Sequence, residues 1–226
     1  MIDKAKTRKE QQHIPEVTIN RLSIYRRCLE LLTETQRGQY MTTISSPEIS
    51  EITGINPNQI RKDLSYFGEF GKRGIGYPIK ELLNQLKGIL KSSEKWDVIL
   101  VGAGKIGKAL LRYRGFKKRG FHIKAVFDNK KTKIGQSIDS IKIYDVKDIK
   151  NYINKWNIKI GIVTVPAQSA QEVVDIMVAG GIKSILNMAP VCVKHPRDVI
   201  VNNIDLSIEL ERLVYYLSSN DVCVRE

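Results

Sequence analysis

The sequence predicts a two-part α/β chain: a small helical module with a wing, then a doubly wound parallel sheet, with one long helix after it. Three observations carry that prediction. An apolar run, Trp96–Val101, leads into Gly102-Ala103-Gly104-Lys105-Ile106-Gly107 and helix formers, yet this strand and turn begin nearly a hundred residues into a 226-residue chain. Ahead of it, two short helix patterns are joined across a glycine and followed by a glycine-rich basic segment. Beyond it, strand-like and helix-like runs alternate, as a sheet covered by helices on both faces requires.

Length suits one large or two modest domains, and 42% hydrophobic residues are enough to build real cores. The 37 Lys+Arg against 24 Asp+Glu give a formal charge of +13, which favours a polyanionic partner. That excess is spread over both halves, so charge alone locates no nucleic-acid face. No apolar run reaches membrane-spanning length, and the first dozen residues are polar where a signal peptide needs an apolar stretch. A soluble, cytoplasmic protein with no membrane partner is expected. Cys28, Cys192 and Cys223, like His13, His122 and His195, are too scattered to hold a metal, so none is expected.

Along the chain, residues 18–36 place Ile19, Leu22, Ile24, Cys28, Leu29, Leu31 and Leu32 in a helix-like pattern that Gly38 would end. Ser46 to Gly54 reads as a short helix with Ser46 as N-cap, Pro47 in the first turn and Gly54 as the turn residue. Asn56 then caps a second helix with Pro57 at N1 and Ile60, Leu64 and Phe67 facing inward. Asn58, Gln59, Arg61, Lys62, Ser65 and Tyr66 are left on the other side. A helix-turn-helix needs such groups: cations and hydroxyls to clamp phosphates, and longer side chains to reach base edges. Gly68–Pro78 reads as a glycine-rich hairpin tipped by Lys72 and Arg73, a wing that can put a cation into a minor groove. The competing reading is a protein-interaction module whose charges are only solvated.

In the glycine segment, Gly102 and Gly104 allow a tight turn and close approach of backbone N–H groups to a pyrophosphate, while Gly107 lets the helix pack on its strand. A second strand, His122–Phe127, ends in Asp128, about twenty residues beyond Gly107, where an acceptor for ribose hydroxyls belongs. A carboxylate there favours NAD(H) over a 2′-phosphorylated cofactor, and Lys130 and Lys131 follow closely enough to soften that preference. Further on, Asp145–Trp156 reads as a capped helix, Ile158–Val163 as a strand, Ser169–Val178 as a helix ended by Gly180 and Gly181, and Ser184–Leu186 as a strand. Thr164-Val165-Pro166 and Asn187-Met188-Ala189-Pro190 follow strands and should line a crevice at their carboxyl ends. A dehydrogenase would also need an acid or base. Tyr113 and Lys117 have a suggestive spacing, but Gly115 interrupts them; no catalytic residue is assigned and the chain is not read as an enzyme, a dehydrogenase with a helical appendage being the alternative. Last, Asp205 can cap a helix in which Leu206, Leu210, Leu213 and Leu217 form a narrow seam, to be covered by a partner helix or by the chain's own sheet. The expected domains are 1–90, 91–203 and 204–226.

Four segments, Gln59 to Tyr77, Val101 to Gly107, Thr164 to Ala167 and Ile185 to Pro190, make the chain resemble the Rex family of redox-sensing transcriptional repressors over essentially its full length. The resemblance implies a homodimer with an N-terminal winged helix-turn-helix domain, a Rossmann-type doubly wound domain that binds NADH and NAD+, and a C-terminal dimerisation helix swapped onto the partner. Such a protein holds double-stranded operator DNA when NADH is scarce and leaves it when NADH binds. The resemblance further implies that Arg61, Lys62, Ser65 and Tyr66 face DNA with Arg73 in the wing, that Gly102, Gly104 and Gly107 receive the pyrophosphate, and that Asp128 takes the adenosine ribose. Tyr113 and Asp205 would form a polar network near the nicotinamide, sensed by Arg27. The chain departs from the family pattern at Met188, where phenylalanine is usual, at Arg114, where proline is common, and at Leu206, where an aromatic is frequent.

Overall fold

The computed structural model describes residues 14–35, 40–68, 70–71 and 74–218. Gly38, and Lys72 and Arg73, which were expected at the tip of a wing, lie outside the described residues, as do His13 and Cys223. The chain divides into two compact units between Ser93 and Glu94.

The first unit runs α1 (Glu16–Glu34), β1 (Thr43–Ile44), α2 (Ser46–Thr53), α3 (Pro57–Ser65), β2 (Tyr77–Pro78) and α4 (Ile79–Ile89). Helix α1 stops before Thr35, which is extended. The start of α2 corrects the expected cap: Ser45, not Ser46, is the N-cap. Its hydroxyl accepts from the Glu48 N–H at 3.3 Å while the Glu48 carboxylate accepts from the Ser45 N–H at 2.7 Å. This reciprocal box satisfies two otherwise orphaned donors, and Pro47 can follow because a first-turn residue needs no N–H. Asn56 caps α3 as expected, accepting from Asn58 N–H at 2.8 Å. Gly54, in the left-handed conformation between the two helices, makes the turn.

Leu22, Tyr25 and Leu29 of α1 pack with Ile49, Ile60, Leu64 and the Ile79, Leu82 and Leu86 stripe of α4. Each of these aliphatic side chains contributes about 1.5–3 kcal/mol by leaving water. Phe67 lies beyond the end of α3 and is only partly buried. Beyond the segment after α3, β2 pairs antiparallel with β1, Ile44 opposite Tyr77. Helix α4 is the longest element that the sequence pattern did not announce.

The second unit runs β3 (Trp96–Val101), α5 (Lys105–Arg112), α6 (Arg114–Lys118), β4 (Phe121–Asp128), β5 (Ser137–Ile138), β6 (Ile141–Asp145), α7 (Ile149–Trp156), β7 (Ile160–Val163), α8 (Ala167–Ala179), β8 (Ser184–Asn187), β9 (Ile200–Asn203) and α9 (Leu206–Ser218). The sheet order is β5-β6-β4-β3-β7-β8-β9, parallel throughout except for β5. Because side chains alternate along a strand, Ile99, Val101, Ala125 and Phe127 pack beneath α7 and α8. Val98, Leu100 and Val126 face the other way, toward Leu110, Leu111 and Phe116. Asp145 caps a single 3-10 turn, Val146–Asp148, ahead of α7 rather than α7 itself. From β3 the chain crosses to β4 on one side and later returns to β7 on the other. The carboxyl ends of β3 and β7 therefore mark the switch point, where a crevice is unavoidable.

Candidate functional site

At that switch point Gly102 has φ +107°, and a Cβ there would lie 2.7 Å from the Thr164 carbonyl oxygen. Only glycine lets β3 turn this close to the end of β7. A Cβ at Gly107 would meet the Gly102 carbonyl oxygen at 1.9 Å, so α5 packs directly on the turn. Gly104, the N-cap of α5, is different: a Cβ there meets no atom within 4 Å. Its neighbourhood is open, in front of a helix N-terminus whose free N–H groups and dipole favour an anion. The Thr164 hydroxyl donates to the Gly102 carbonyl at 2.8 Å, pinning the two strand ends together.

A cavity of about 540 Å³ opens here, lined by Gly102, Gly104, Asp128, Thr164, Val165 and Pro166 and closed on one side by the β4–β5 loop. Its size and mixed lining suit a cofactor-sized ligand. Asp128 stands at its edge, buried, with the Ala103 N–H at 2.8 Å and the Lys133 ammonium at 2.7 Å on Oδ2, and the Lys130 N–H at 2.9 Å on Oδ1. Burial pushes this carboxyl's pKa up, but the bonds from Lys133, Lys130 and Ala103 outweigh it and hold the pKa below the usual carboxylate range. A carboxylate offers about four acceptor positions, so one remains on Oδ1 for a ribose hydroxyl. The pairing with Lys133 was missed in the sequence; the five-residue spacing across a turn carries no periodic signal.

The other expected cleft residues divide. Lys105 and Ile106 are exposed on the first turn of α5, and Ala103 is buried. Asn187–Pro190 sit one strand further on. Asn187 is fully buried, its amide donating to the Val191 carbonyl and to Asn203 Oδ1, both at 2.8 Å, while its oxygen accepts from Ala189 N–H at 3.0 Å. It shapes the loop. Met188 N–H bonds the Val163 carbonyl at 2.8 Å, which holds the loop beside the end of β7.

In the first unit α3 presents Asn58, Arg61, Lys62 and Ser65 to solvent, with Tyr66 half-buried just past its end. Arg61 donates to the Ser46 hydroxyl at 2.6 Å and to Asn58, so its guanidinium is held across the α2–α3 pair. Gln59 points inward instead. Its amide donates to Asp63 at 2.8 Å, which corrects its expected place on the reading face. Asp63 is fully buried and also accepts from Arg21 at 2.5 and 2.7 Å, from the Tyr25 hydroxyl at 2.7 Å and from Thr18 at 3.3 Å. Burial works to raise its pKa; the donors from Arg21, Tyr25 and Gln59 overcome that and lower it. This network locks α3 to α1, and only the odd placement of a carboxylate beside the inward Leu64 could have announced it.

Two family models match the chain, one described as "Putative DNA-binding protein N-terminus" over residues 13–65 and one as "CoA binding domain" over residues 93–191. A protein of Desulforamulus reducens named redox-sensing transcriptional repressor Rex is 47% identical over 91% of this chain and 96% of its own length. The chain belongs to the Rex family. A second Rex, from Syntrophomonas wolfei, is 46% identical over 92% of this chain and 97% of its own. Among solved structures, RSP, a Rex-family repressor, in complex with β-NAD+ and operator DNA superposes with a TM-score of 0.84 at 37% identity, covering 92% of this chain and 94% of that one. RSP with β-NADH gives 0.83 at 36% identity, covering 93% and 97%. These Rex proteins carry the name of repressors, not of dehydrogenases.

In this Rex-family chain the three residues expected to form a switch lie on α1, between α5 and α6, and at the start of α9. Arg27 is exposed on α1. Tyr113 joins α5 to α6, half-exposed, with its ring 5.1 Å from that of Phe116 and packed over Gly115. Tyr113 and Lys117 thus do not share the face of one helix. The Asp205 carboxylate accepts from Ser207 N–H at 2.9 Å and from its hydroxyl, opening α9. Along α9, Leu206, Leu210, Leu213 and Leu217 are 55–77% exposed, as are Ile208, Val214 and Tyr215 at 60–66%. The chain's own sheet does not cover the leucine seam. No described helix is long and apolar enough to cross a membrane.

Proposed function

We propose that this Rex-family chain is a cytoplasmic, homodimeric repressor that reads operator DNA through the first unit and the NADH/NAD+ ratio through the second. The observation that carries the reading is the open N-terminus of α5 at Gly104, facing a cofactor-sized cleft, in a chain whose other unit displays the cations of α3. RSP, with the same arrangement of parts, has been solved with NAD+ and operator DNA and with NADH. The pyrophosphate would lie against the Gly102–Gly107 turn, the adenosine ribose at the free acceptor position of Asp128, and the nicotinamide toward Thr164–Pro166 and Met188–Pro190. Bound NADH supplies no chemistry here; it acts by being held. Asn58, Arg61, Lys62, Ser65 and Tyr66, with Lys72 and Arg73 of the wing, would contact the duplex, Arg61 and Lys62 chiefly through phosphates. The exposed face of α9 is covered by a second copy, since a helix with this much apolar surface is stable in water only against a partner. In that dimer Arg27, Tyr113 and Asp205 would meet as the contact that differs between ligand states.

The test is selection of bound sequences from random duplexes, followed by titration of the selected duplex with NADH and NAD+. Release by NADH at concentrations where NAD+ leaves the complex intact is expected. Failure to retain any duplex sequence, or release by both cofactors alike, overturns the reading.

A further inference from the structure

Two adjacent serines at the start of α2 have different tasks. Ser45 serves the helix itself, its hydroxyl and N–H closed in the capping box with Glu48. Ser46 is thereby released from capping; it is buried, and its hydroxyl accepts from Arg61 at 2.6 Å. Another arm of the same guanidinium donates to Asn58, one turn back on α3. The surroundings are tightly fitted. Ser46 follows closely on β1, whose Ile44 is paired with Tyr77 of β2, and a Cβ on Gly76 would lie 2.7 Å from the Ile44 carbonyl oxygen. The charge of Arg61 is felt at β2 as well: burial raises the Tyr77 pKa, and the guanidinium works to lower it. Arg61 is nevertheless exposed. A guanidinium carries several N–H donors; its bonds to Ser46 and Asn58 engage only part of them, so the others can meet a ligand. A free arginine gives up rotamer entropy when it grips a phosphate, whereas one already held has given it up on folding.

We propose that Ser46 is a positioning residue for DNA binding: it touches no nucleotide itself and raises operator affinity by fixing the Arg61 guanidinium before the duplex arrives. The inference rests on the reading of α3 as the DNA-facing helix given above. Ser46 is absent from the polar face that α3 presents, and it acts on the duplex only through Arg61.

The experiment is a double-variant cycle on the full-length protein, with Ser46→Ala, Arg61→Ala and the two together, each titrated with the selected duplex at several salt concentrations. Ser46→Ala is expected to weaken operator affinity about fivefold, the order set by immobilising one long side chain. Its slope of log affinity against log salt should stay at the wild-type value, because the cation remains. In the Arg61→Ala background the same replacement should change affinity by less than about twofold, since its effect is coupled to Arg61. A loss of equal size in both backgrounds means that Ser46 acts through the fold and overturns the proposal, as does a Ser46→Ala protein that binds operator like wild type. Should the alanine variant fail to fold, Ser46→Cys, which puts a weak acceptor in place of the hydroxyl, is taken through the same cycle and judged by the same outcomes. If Arg61→Ala by itself leaves operator affinity unchanged, the reading of Arg61 as a DNA contact falls and the proposal with it.

Discussion

Three glycines in one short turn do three different jobs, and substitution separates them. A side chain at Gly104 enters open space, so Gly104→Val should barely change the unfolding temperature yet weaken NADH binding more than tenfold by occupying the anion's approach. Gly107→Ala drives a methyl into the Gly102 carbonyl oxygen; it should cost about 1–3 kcal/mol of stability, as overpacking does, measurable by chemical unfolding. The sequence made these roles legible because the motif is local. It did not reveal Asp63, whose partners lie 38 and 42 residues away for Tyr25 and Arg21. With its folded pKa lowered, the stabilisation from Asp63 is complete above the unfolded value near 3.9 and is lost as pH falls through the folded value. Amide exchange in α1 and α3, taken relative to the intrinsic rate at each pH, should therefore accelerate below pH 4. In Asp63→Asn it should already be fast at pH 6, because removing one member of a buried pair costs about 3–5 kcal/mol. Exchange in the variant that matches wild type at pH 6 would show that the network does not hold α3.

At the scale of elements, the periodic helices and the buried central strands were readable, while the two-residue strands and the edge strand were not. Strands β3 and β4 and helices α1, α8 and α9 were placed to within a few residues, because apolar spacing fixes a buried face. Strands β1 and β2 have two residues each and exist only because Ile44 meets Tyr77; β9, at the sheet edge with Ile200 exposed, has no alternation to detect. The one-residue error at the α2 cap arose because Ser45 and Ser46 are adjacent and only the position of Glu48 decides between them. Helix α3 yields a direct prediction: Arg61→Ala should lower the slope of log affinity against log salt for the operator by about one. A slope equal to wild type would take Arg61 out of the phosphate contacts. Helix α9 yields another. Truncation after Asn203 should give a monomer in sedimentation with weakened operator binding, since a two-fold dimer reads two half-sites where a monomer reads one; a truncated dimer would move the interface elsewhere.

For the whole molecule, the account rests on two units in one chain that answer to one equilibrium. The order of the parts was evident from the sequence, a reading module ahead of a glycine turn, because each has a local signature. How ligand in the second unit alters the first is a property of the assembled dimer, and no residue pattern encodes it. Thermodynamic linkage nevertheless fixes what must be seen: if NADH lowers operator affinity by some factor, operator must lower NADH affinity by the same factor. A coupling of about 1–3 kcal/mol corresponds to roughly 5–150-fold, and NAD+ should show little of it, since a ligand with equal affinity for two states shifts neither. The decisive measurement is the NADH binding isotherm, read by its fluorescence, in the absence and presence of saturating operator duplex. The account predicts weakening by that common factor with operator and none with a scrambled duplex; an isotherm that is the same with and without operator contradicts it.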